Sequence, residues 1–166
     1  GLHLTLTSEW RTYRWRPMIG PGGGLTDAEG FFHRRPDMVA AHADPQAVED
    51  EMVAQVERAL ADGIRPSHLD AHMGTAFLFL PQLLSVAIRY AIPPLLCRDL
   101  APLFRLVRCD GPRSDAVAAA LEAAEARGWP IFDSFLMGFV PDGQPPEPFY
   151  TDLVATAPQG LSFYAC

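Results

Sequence analysis

The chain has 166 residues, enough for one domain and too short for two of ordinary size. Its 13 basic and 20 acidic residues give a net charge of −7, which argues against a general nucleic-acid-binding protein and against docking on anionic lipid. Every basic residue other than histidine is arginine, so lysine chemistry such as a Schiff base or a P-loop is excluded.

The first predicted element is a strand at residues 2–7, where leucines alternate with polar residues. A loop rich in Trp, Arg and Gly follows at 10–24, and His33 and His42 are expected in a second, solvated loop. The clearest helix begins after Asp44-Pro45, a capping residue followed by a first-turn proline. Its expected buried face contains Val48, Met52, Val56 and Leu60, while Glu51 is among the residues expected to face water.

The rest of the chain alternates between strands and helices. In order, the predicted elements are a turn and a strand within 64–72, a helix at 81–91, a strand at 94–98, helices at 100–108 and 114–128, a strand at 129–133, a helical turn at 152–157 and a strand at 161–166. This alternation predicts an α/β fold with a parallel sheet, either open or closed into a barrel. Active groups in such folds gather at the carboxyl ends of the strands.

The main chemical signal is the sequence His68-Leu69-Asp70-Ala71-His72. On a strand, its two histidines and the aspartate point to one face, and such groups are costly to bury without a use. His3 has the same character, because it alternates with leucines in the first strand. Imidazoles from two strands together with a carboxylate suit a divalent metal ion. The alternative is that these side chains fill the interior and bond to the backbone.

Two segments together resemble the YdjC-like carbohydrate deacetylases of the ChbG/HpnK family. They are the sequences Gly1-Leu2-His3-Leu4-Thr5-Leu6-Thr7 and Pro66-Ser67-His68-Leu69-Asp70-Ala71-His72. The resemblance implies a metal-dependent hydrolase that removes N-acetyl groups from amino sugars such as chitin oligosaccharides. It also implies a (β/α) barrel-like fold of the TIM-barrel type, here an incomplete barrel with surrounding helices.

The resemblance also assigns roles to five residues. His3 and His72 match the family's metal-binding histidines, and the cofactor would be a divalent ion, magnesium or zinc. Asp70 and His68 match residues that hold and orient the site, and we take them as the catalytic candidates. Asp70 is expected to orient a ligand imidazole. Arg98 matches an arginine after the next strand, where it would meet the substrate.

The chain departs from the family pattern at two points. Family members begin with a strand that ends in Asp-Asp, and they carry His-Pro after a late strand; neither pair occurs here. We therefore expect residues 1–166 to form a single deacetylase-like domain that lacks the family's first strand and helices and its C-terminal part. The edge left by the missing strand would favour association into a homodimer.

Other features bear on substrate and location. Trp10, with the neighbouring Tyr13 and Trp15, is a candidate for stacking on sugar rings, although these rings could equally pack against one another. The three cysteines form no disulfide or metal pattern, which favours reduced thiols. No apolar run reaches the ~18 residues of a membrane span, and we expect no secretory leader. We expect a cytoplasmic protein with no membrane partner.

Two other functions stay open alongside the deacetylase. One is a different metal-dependent hydrolase, for example an amidohydrolase-like enzyme, that uses the His-x-Asp-x-His pattern in another way. The other is a catalytically inert piece that binds a sugar or a partner chain.

Overall fold

Short strands alternate with helices along the chain, as the sequence predicts. The computed structural model describes residues 1–138 and 140–165. Its strands are β1 (Leu2–Leu4), β2 (Leu69–Ala71), β3 (Leu96–Cys97), β4 (Ile131–Phe132), β5 (Ser134–Met137) and β6 (Ser162–Ala165). Its helices are α1 (Pro36–His42), α2 (Pro45–Ala61), α3 (Leu80–Tyr90), α4 (Ala101–Val107), α5 (Ser114–Glu125) and α6 (Pro146–Ala155), with a 3-10 segment at His72–Phe79.

The strands pair in parallel, β1 with β2, β3 with β4, and β5 with β6. Backbone hydrogen bonds link β2 to the start of the next pair. The amide of Leu69 donates to the carbonyl of Pro93 (2.9 Å), and the amide of Leu95 donates to the carbonyl of Leu69 (2.7 Å). The predicted mixed α/β class with parallel pairing is therefore confirmed, whereas closure into a barrel stays a prediction.

The hydrophobic core contains side chains from β1, β2, α2, the 3-10 segment and helices α3 to α5. Burial of one such side chain contributes about 1.5–3 kcal/mol. The largest fully buried members include Leu4, Leu6, Phe32, Met52, Leu69, Leu83 and Leu103. The core thus holds β1 and β2 side by side, and these are the strands that carry the histidine motifs.

Helix α2 begins where the sequence predicts. The carboxylate of Asp44 accepts a hydrogen bond from the amide of Gln46 (2.8 Å), and Pro45 occupies the first turn. Such a cap satisfies one of the amides that a helix leaves free at its start. The predicted inward residues Val48, Met52 and Val56 are fully buried.

Two predictions for α2 are wrong. Leu60 is 41% exposed, because the helix ends at Ala61 and Ala59 turns inward in its place. Glu51 is buried rather than solvent-facing: one oxygen accepts a hydrogen bond from the Gln55 side chain (2.8 Å) and the other from the amide of Ile19 (3.1 Å). These two donors replace the hydrogen bonds that water would make to the Glu51 carboxylate, so its burial is tolerated. The helical period of the sequence alone does not reveal such partners.

The chain turns sharply after β2 and then runs into α3. His72–Tyr90 is long and apolar enough to cross a membrane by length and composition, which corrects the expectation that no such segment exists. Half of its most apolar window is buried inside the protein, and Met73 and Gly74 interrupt the helical backbone. Core helices of soluble proteins pass the same test, so the segment is weak evidence for a membrane span.

Helix α1 lies in a region where the sequence analysis placed a solvated loop. Pro36 occupies its first turn, and His42 lies in its last turn. His33 is buried, with Nε2 3.1 Å from the carbonyl oxygen of Gly24. The expectation that His33 is solvated is wrong, because the loop that contains Gly24 folds back over the imidazole.

The two cysteines among the described residues are free thiols. Burial raises the pKa of Cys97 and of Cys109, which keeps both in the protonated form at neutral pH. Cys166, predicted to end the last strand, lies outside the described residues.

Arg14 forms an ion pair in the loop after β1. Its guanidinium donates to the Asp27 carboxylate (2.6 Å) and to the carbonyl of Phe32 (2.6 Å). Burial alone would raise the pKa of Asp27, but hydrogen bonds from Arg14 and from the amides of Phe31 and Glu29 outweigh it, so the pKa is lowered. The unfolded value is about 3.9. The carboxylate therefore stabilises the fold above that pH, and the contribution is lost as pH falls through the lower folded pKa.

We expect Asp27→Asn to reduce the free energy of unfolding at pH 7 by about 1–3 kcal/mol, the range for hydrogen bonds to charged groups. The difference from the wild type should shrink as pH falls below about 3.9, where the unfolded carboxyl takes up a proton, and should vanish below the lower folded pKa. Denaturant unfolding between pH 7 and pH 3 checks this. Glu29→Gln is the matched control, because Glu29 is 74% exposed and lies 3.5 Å from Arg14. A deficit for Asp27→Asn that stays constant with pH would contradict the assignment.

Candidate functional site

The parallel pairing of β1 with β2 brings the two histidine motifs together. In the register of this pair, His3 lies opposite Asp70. His72 comes directly after β2, at its carboxyl end, where Met73 and Gly74 turn the chain towards α3. The site thus lies at the edge of the sheet where the sequence analysis expects active groups.

Four side chains form a continuous line of polar contacts. His3 Nδ1 lies 2.9 Å from Asp70 Oδ1, and His3 Nε2 lies 3.1 Å from His72 Nδ1. At the other end, His72 Nε2 lies 2.9 Å from Glu9 Oε2. The two imidazoles therefore face each other through one nitrogen each, and the opposite nitrogen of each ring faces a carboxylate.

The number of N–H hydrogens on the two imidazoles determines whether a proton or a cation can lie between them. Two neutral imidazoles carry one N–H each, and a carboxylate is a stronger acceptor than an imidazole nitrogen. Both N–H groups are therefore best placed on the carboxylates of Asp70 and Glu9. The lone pairs of His3 Nε2 and His72 Nδ1 then face each other, an arrangement that requires a shared proton or a cation between them.

The site is partly open to solvent. The side chain of His3 is 55% exposed and that of His72 is 22% exposed, so a small molecule can reach the pair. The Trp15 ring packs edge-to-face on His72, with ring centroids 6.2 Å apart. Burial alone would raise the pKa of Glu9, but hydrogen bonds from His72, its own backbone and Trp10, with the charge of His72, lower it. Glu9 is therefore a carboxylate at neutral pH.

The two facing nitrogens fit two positions of a metal site. Zinc–nitrogen bonds to histidine are about 2.0–2.1 Å long, and zinc is usually tetrahedral. Two histidine nitrogens bound to one zinc ion are therefore about 3.3 Å apart. The observed separation between His3 Nε2 and His72 Nδ1 is 3.1 Å. Among residues 1–138 and 140–165, no group of three His, Cys, Asp or Glu residues could hold an ion. The pair accounts for two ligands, and the predicted set is incomplete within this part of the chain.

A cavity of about 640 Å³ adjoins the histidine pair. Its polar lining includes buried Glu51 and Gln55 from α2, and its apolar lining includes Trp15. Arg16, Arg58 and Asp62 add charged groups to its wall. The cavity therefore offers both hydrogen-bonding groups and an aromatic surface beside the imidazoles.

The structure separates the other predicted site residues from this pair. His68 lies at the amino end of β2, where a Cβ added to Gly1 would meet its ring and where its Nδ1 is 3.0 Å from Ser67 Oγ. Arg98 pairs with Glu125 (3.0 Å) and Asp133 (3.6 Å), and it lines a different cavity, of about 930 Å³. Of the two catalytic candidates, Asp70 contacts the His3 imidazole directly. His68 lies at the opposite end of β2 from His72 and contacts Ser67 there.

Trp10 is 61% exposed and follows Glu9, which places it beside the line of contacts. Sequence reasoning missed Glu9 and gave Trp15 no link to the histidines. The position of Glu9 in the sequence could have indicated it. Glu9 follows β1, so it lies at the same edge of the sheet as the carboxyl end of β2.

Comparison with known proteins gives a consistent result. A family model described as YdjC-like protein matches residues 1–160. A carbohydrate deacetylase of Thermus thermophilus is 37% identical over 107 residues, which cover 62% of this chain and 39% of that protein. A carbohydrate deacetylase of Vibrio vulnificus strain YJ016 is 36% identical over 95 residues, covering 56% of this chain and 35% of the relative. The chain thus spans less than half the length of these curated relatives.

One solved structure resembles nearly the whole chain. It is the crystal structure of a proposed cellobiose-phosphate cleavage protein from Enterococcus faecalis V583. The TM-score is 0.62 and the identity 23%, and the alignment covers 99% of this chain and 57% of the other. At this identity the similarity concerns the fold alone.

Proposed function

This chain belongs to the YdjC-like protein family, and from that premise we propose that it acts in a metal-dependent carbohydrate deacetylase. The reaction is hydrolysis of the N-acetyl group of an amino sugar, with chitin oligosaccharides as the candidate substrates. Two relatives above 35% identity named carbohydrate deacetylase support the reaction class.

The observation that carries the proposal is the facing pair of imidazole nitrogens. His3 Nε2 and His72 Nδ1 lie 3.1 Å apart, and each ring is hydrogen-bonded through its other nitrogen to a carboxylate. Histidines that ligate metals have this pattern, in which the second nitrogen donates to a carboxylate that sets the tautomer. Pure packing of two histidines would not require both lone pairs to converge.

Different residues of the site would bind the metal ion, orient its ligands, shield it from water and line the substrate cavity. His3 and His72 would hold a divalent ion, zinc or magnesium, of which nitrogen donors favour zinc. Such an ion, when bound, lowers the pKa of water and polarises an amide carbonyl. Asp70 orients His3, and Trp15 covers one side of His72, which limits the access of bulk water. Arg16 and Asp62 line the adjoining cavity, where sugar hydroxyls would find hydrogen-bond partners.

We extend the proposal to the fold and the location of the protein. The consecutive pairing of β1, β2 and the segment before β3 is the order that a (β/α) barrel uses, so we infer an incomplete barrel-like sheet. Reduced thiols and the absence of a disulfide pattern agree with a cytoplasmic protein.

A substrate screen tests the function. The protein is loaded with Zn²⁺ or Mg²⁺ and incubated with N-acetylated chitin oligosaccharides, cyclic amides and phosphoesters. We expect acetate release from the acetylated sugars only, measured by an enzyme-coupled assay. Turnover of the cyclic amides or phosphoesters instead would favour a different metal-dependent hydrolase. Sugar binding without turnover in any set, measured by calorimetry, would favour the inert alternative.

A further inference from the structure

Glu9 is the one member of the polar line that neither histidine motif contains. It follows β1 in the sequence Ser8-Glu9-Trp10 and reaches across to His72, which lies 63 positions later. Its carboxylate oxygen lies 2.9 Å from His72 Nε2, and its side chain is 30% exposed. The contact is therefore a long-range tertiary contact between the loop after β1 and the end of β2.

The two carboxylates act on opposite nitrogens of their imidazoles. Asp70 contacts Nδ1 of His3, which leaves Nε2 free to face the partner ring. Glu9 contacts Nε2 of His72, which leaves Nδ1 free to face His3. A neutral imidazole carries a single hydrogen, and a carboxylate attracts that hydrogen more strongly than another imidazole does. Within residues 1–138 and 140–165, Glu9 is the one group in hydrogen-bond contact with His72 Nε2.

Resting on the proposed metal site, we propose that Glu9 is a positioning residue that holds His72 in the tautomer with hydrogen on Nε2. The Nδ1 lone pair is thereby directed towards the point that His3 Nε2 also faces. Glu9 does this work through His72 and does not itself contact substrate. It is the counterpart, on the second histidine, of the role that Asp70 has on the first.

Nuclear magnetic resonance of the metal-free wild-type protein tests the tautomer directly. With ¹⁵N-labelled histidine at a pH well above the ordinary imidazole pKa of about 6.5, we expect His72 Nε2 to carry a hydrogen, whether or not a proton is shared between His72 Nδ1 and His3 Nε2. A wild-type His72 whose Nε2 is bare under these conditions would overturn the proposal. This measurement does not depend on any variant or on a bound ion.

Substitutions give the second arm of the test. In Glu9→Ala we expect a mixture of the two His72 tautomers and Zn²⁺ binding about 10–100-fold weaker by calorimetry, the usual effect of losing a carboxylate behind a ligand histidine. Glu9→Gln keeps an oxygen acceptor and should restore most of the tautomer preference and part of the affinity. Glu122→Ala is the matched control, an exposed glutamate on α5. Unchanged tautomer and unchanged Zn²⁺ affinity in a folded Glu9→Ala protein would contradict the role.

The outcomes separate this inference from the function it rests on. If the wild-type protein binds no Zn²⁺, the proposed metal site fails, while the tautomer in the metal-free protein still decides the role of Glu9. If Zn²⁺ binds and the tautomer is indifferent to Glu9, the metal site stands and the positioning role is rejected.

Discussion

Replacing His72 with alanine is expected to abolish metal binding and, with it, deacetylation. The substitution removes one of the two facing nitrogens and leaves His3 Nε2 alone, 3.1 Å from where His72 Nδ1 was. A metal ion supplies several kcal/mol of transition-state stabilisation, and each 1.36 kcal/mol is a factor of ten in rate. We therefore expect a loss of activity of about three orders of magnitude or more. His3→Ala should have the same effect, because both rings belong to the proposed metal site.

Calorimetric titration with Zn²⁺ and acetate release from acetylated chitin oligosaccharides are the two measurements. His42→Ala is the matched control: it removes an exposed histidine of α1 whose Nδ1 is bonded to the Met38 carbonyl, within its own helix. It should leave both measurements at wild-type values. Full deacetylase activity in folded His3→Ala or His72→Ala protein would refute the metal assignment.

Gly74→Ala is expected to destabilise the fold by about 2–5 kcal/mol. Gly74 has a φ of 69°, in the left-handed region, which costs an L-residue about 1–2 kcal/mol. An added Cβ would lie 2.7 Å from Leu103 Cδ2 and 3.1 Å from Leu103 Cγ. Leu103 is buried in the core and has little room to move, so overpacking adds about 1–3 kcal/mol. The turn also carries His72, so Zn²⁺ binding should weaken in the same variant.

Gly63→Ala separates the two causes. Gly63 has a φ of 80°, and an added Cβ there would meet nothing within 4 Å. It should cost only the backbone strain, about 1–2 kcal/mol, and leave Zn²⁺ affinity unchanged. Denaturant unfolding of both variants is the measurement. Equal losses for the two glycines would show that the contact with Leu103 is irrelevant.

Alternation within each motif predicted much of the site. His3 and Asp70 lie in short strands whose leucines face the core, so their side chains had to project together once the strands paired. The start of α2 was equally predictable, because Asp44 and Pro45 act on the backbone within one turn. Strand alternation and helix capping depend only on residues that are close together in the sequence, so the sequence predicts them.

Contacts between distant segments could not be predicted from the sequence, and the substrate-binding role of Arg98 stays a prediction. Glu51 reads as a solvent-facing residue of α2, yet its partners include the amide of Ile19, which belongs to a loop. Arg98 follows β3 as the family resemblance suggests, but its ion pairs are with Glu125 and Asp133. In both cases the deciding group lies in another segment, and a single sequence does not say which segments will meet.

By itself, then, the sequence determined the fold class, the two strands that bear histidines and the edge of the sheet at which they end, because each follows from local periodicity. Only the tertiary structure decided which nitrogen of each ring faces its partner, and that Glu9 closes the line at His72. Ring orientation depends on packing and hydrogen bonds between segments that are far apart in the chain, and those contacts exist only once the core has formed.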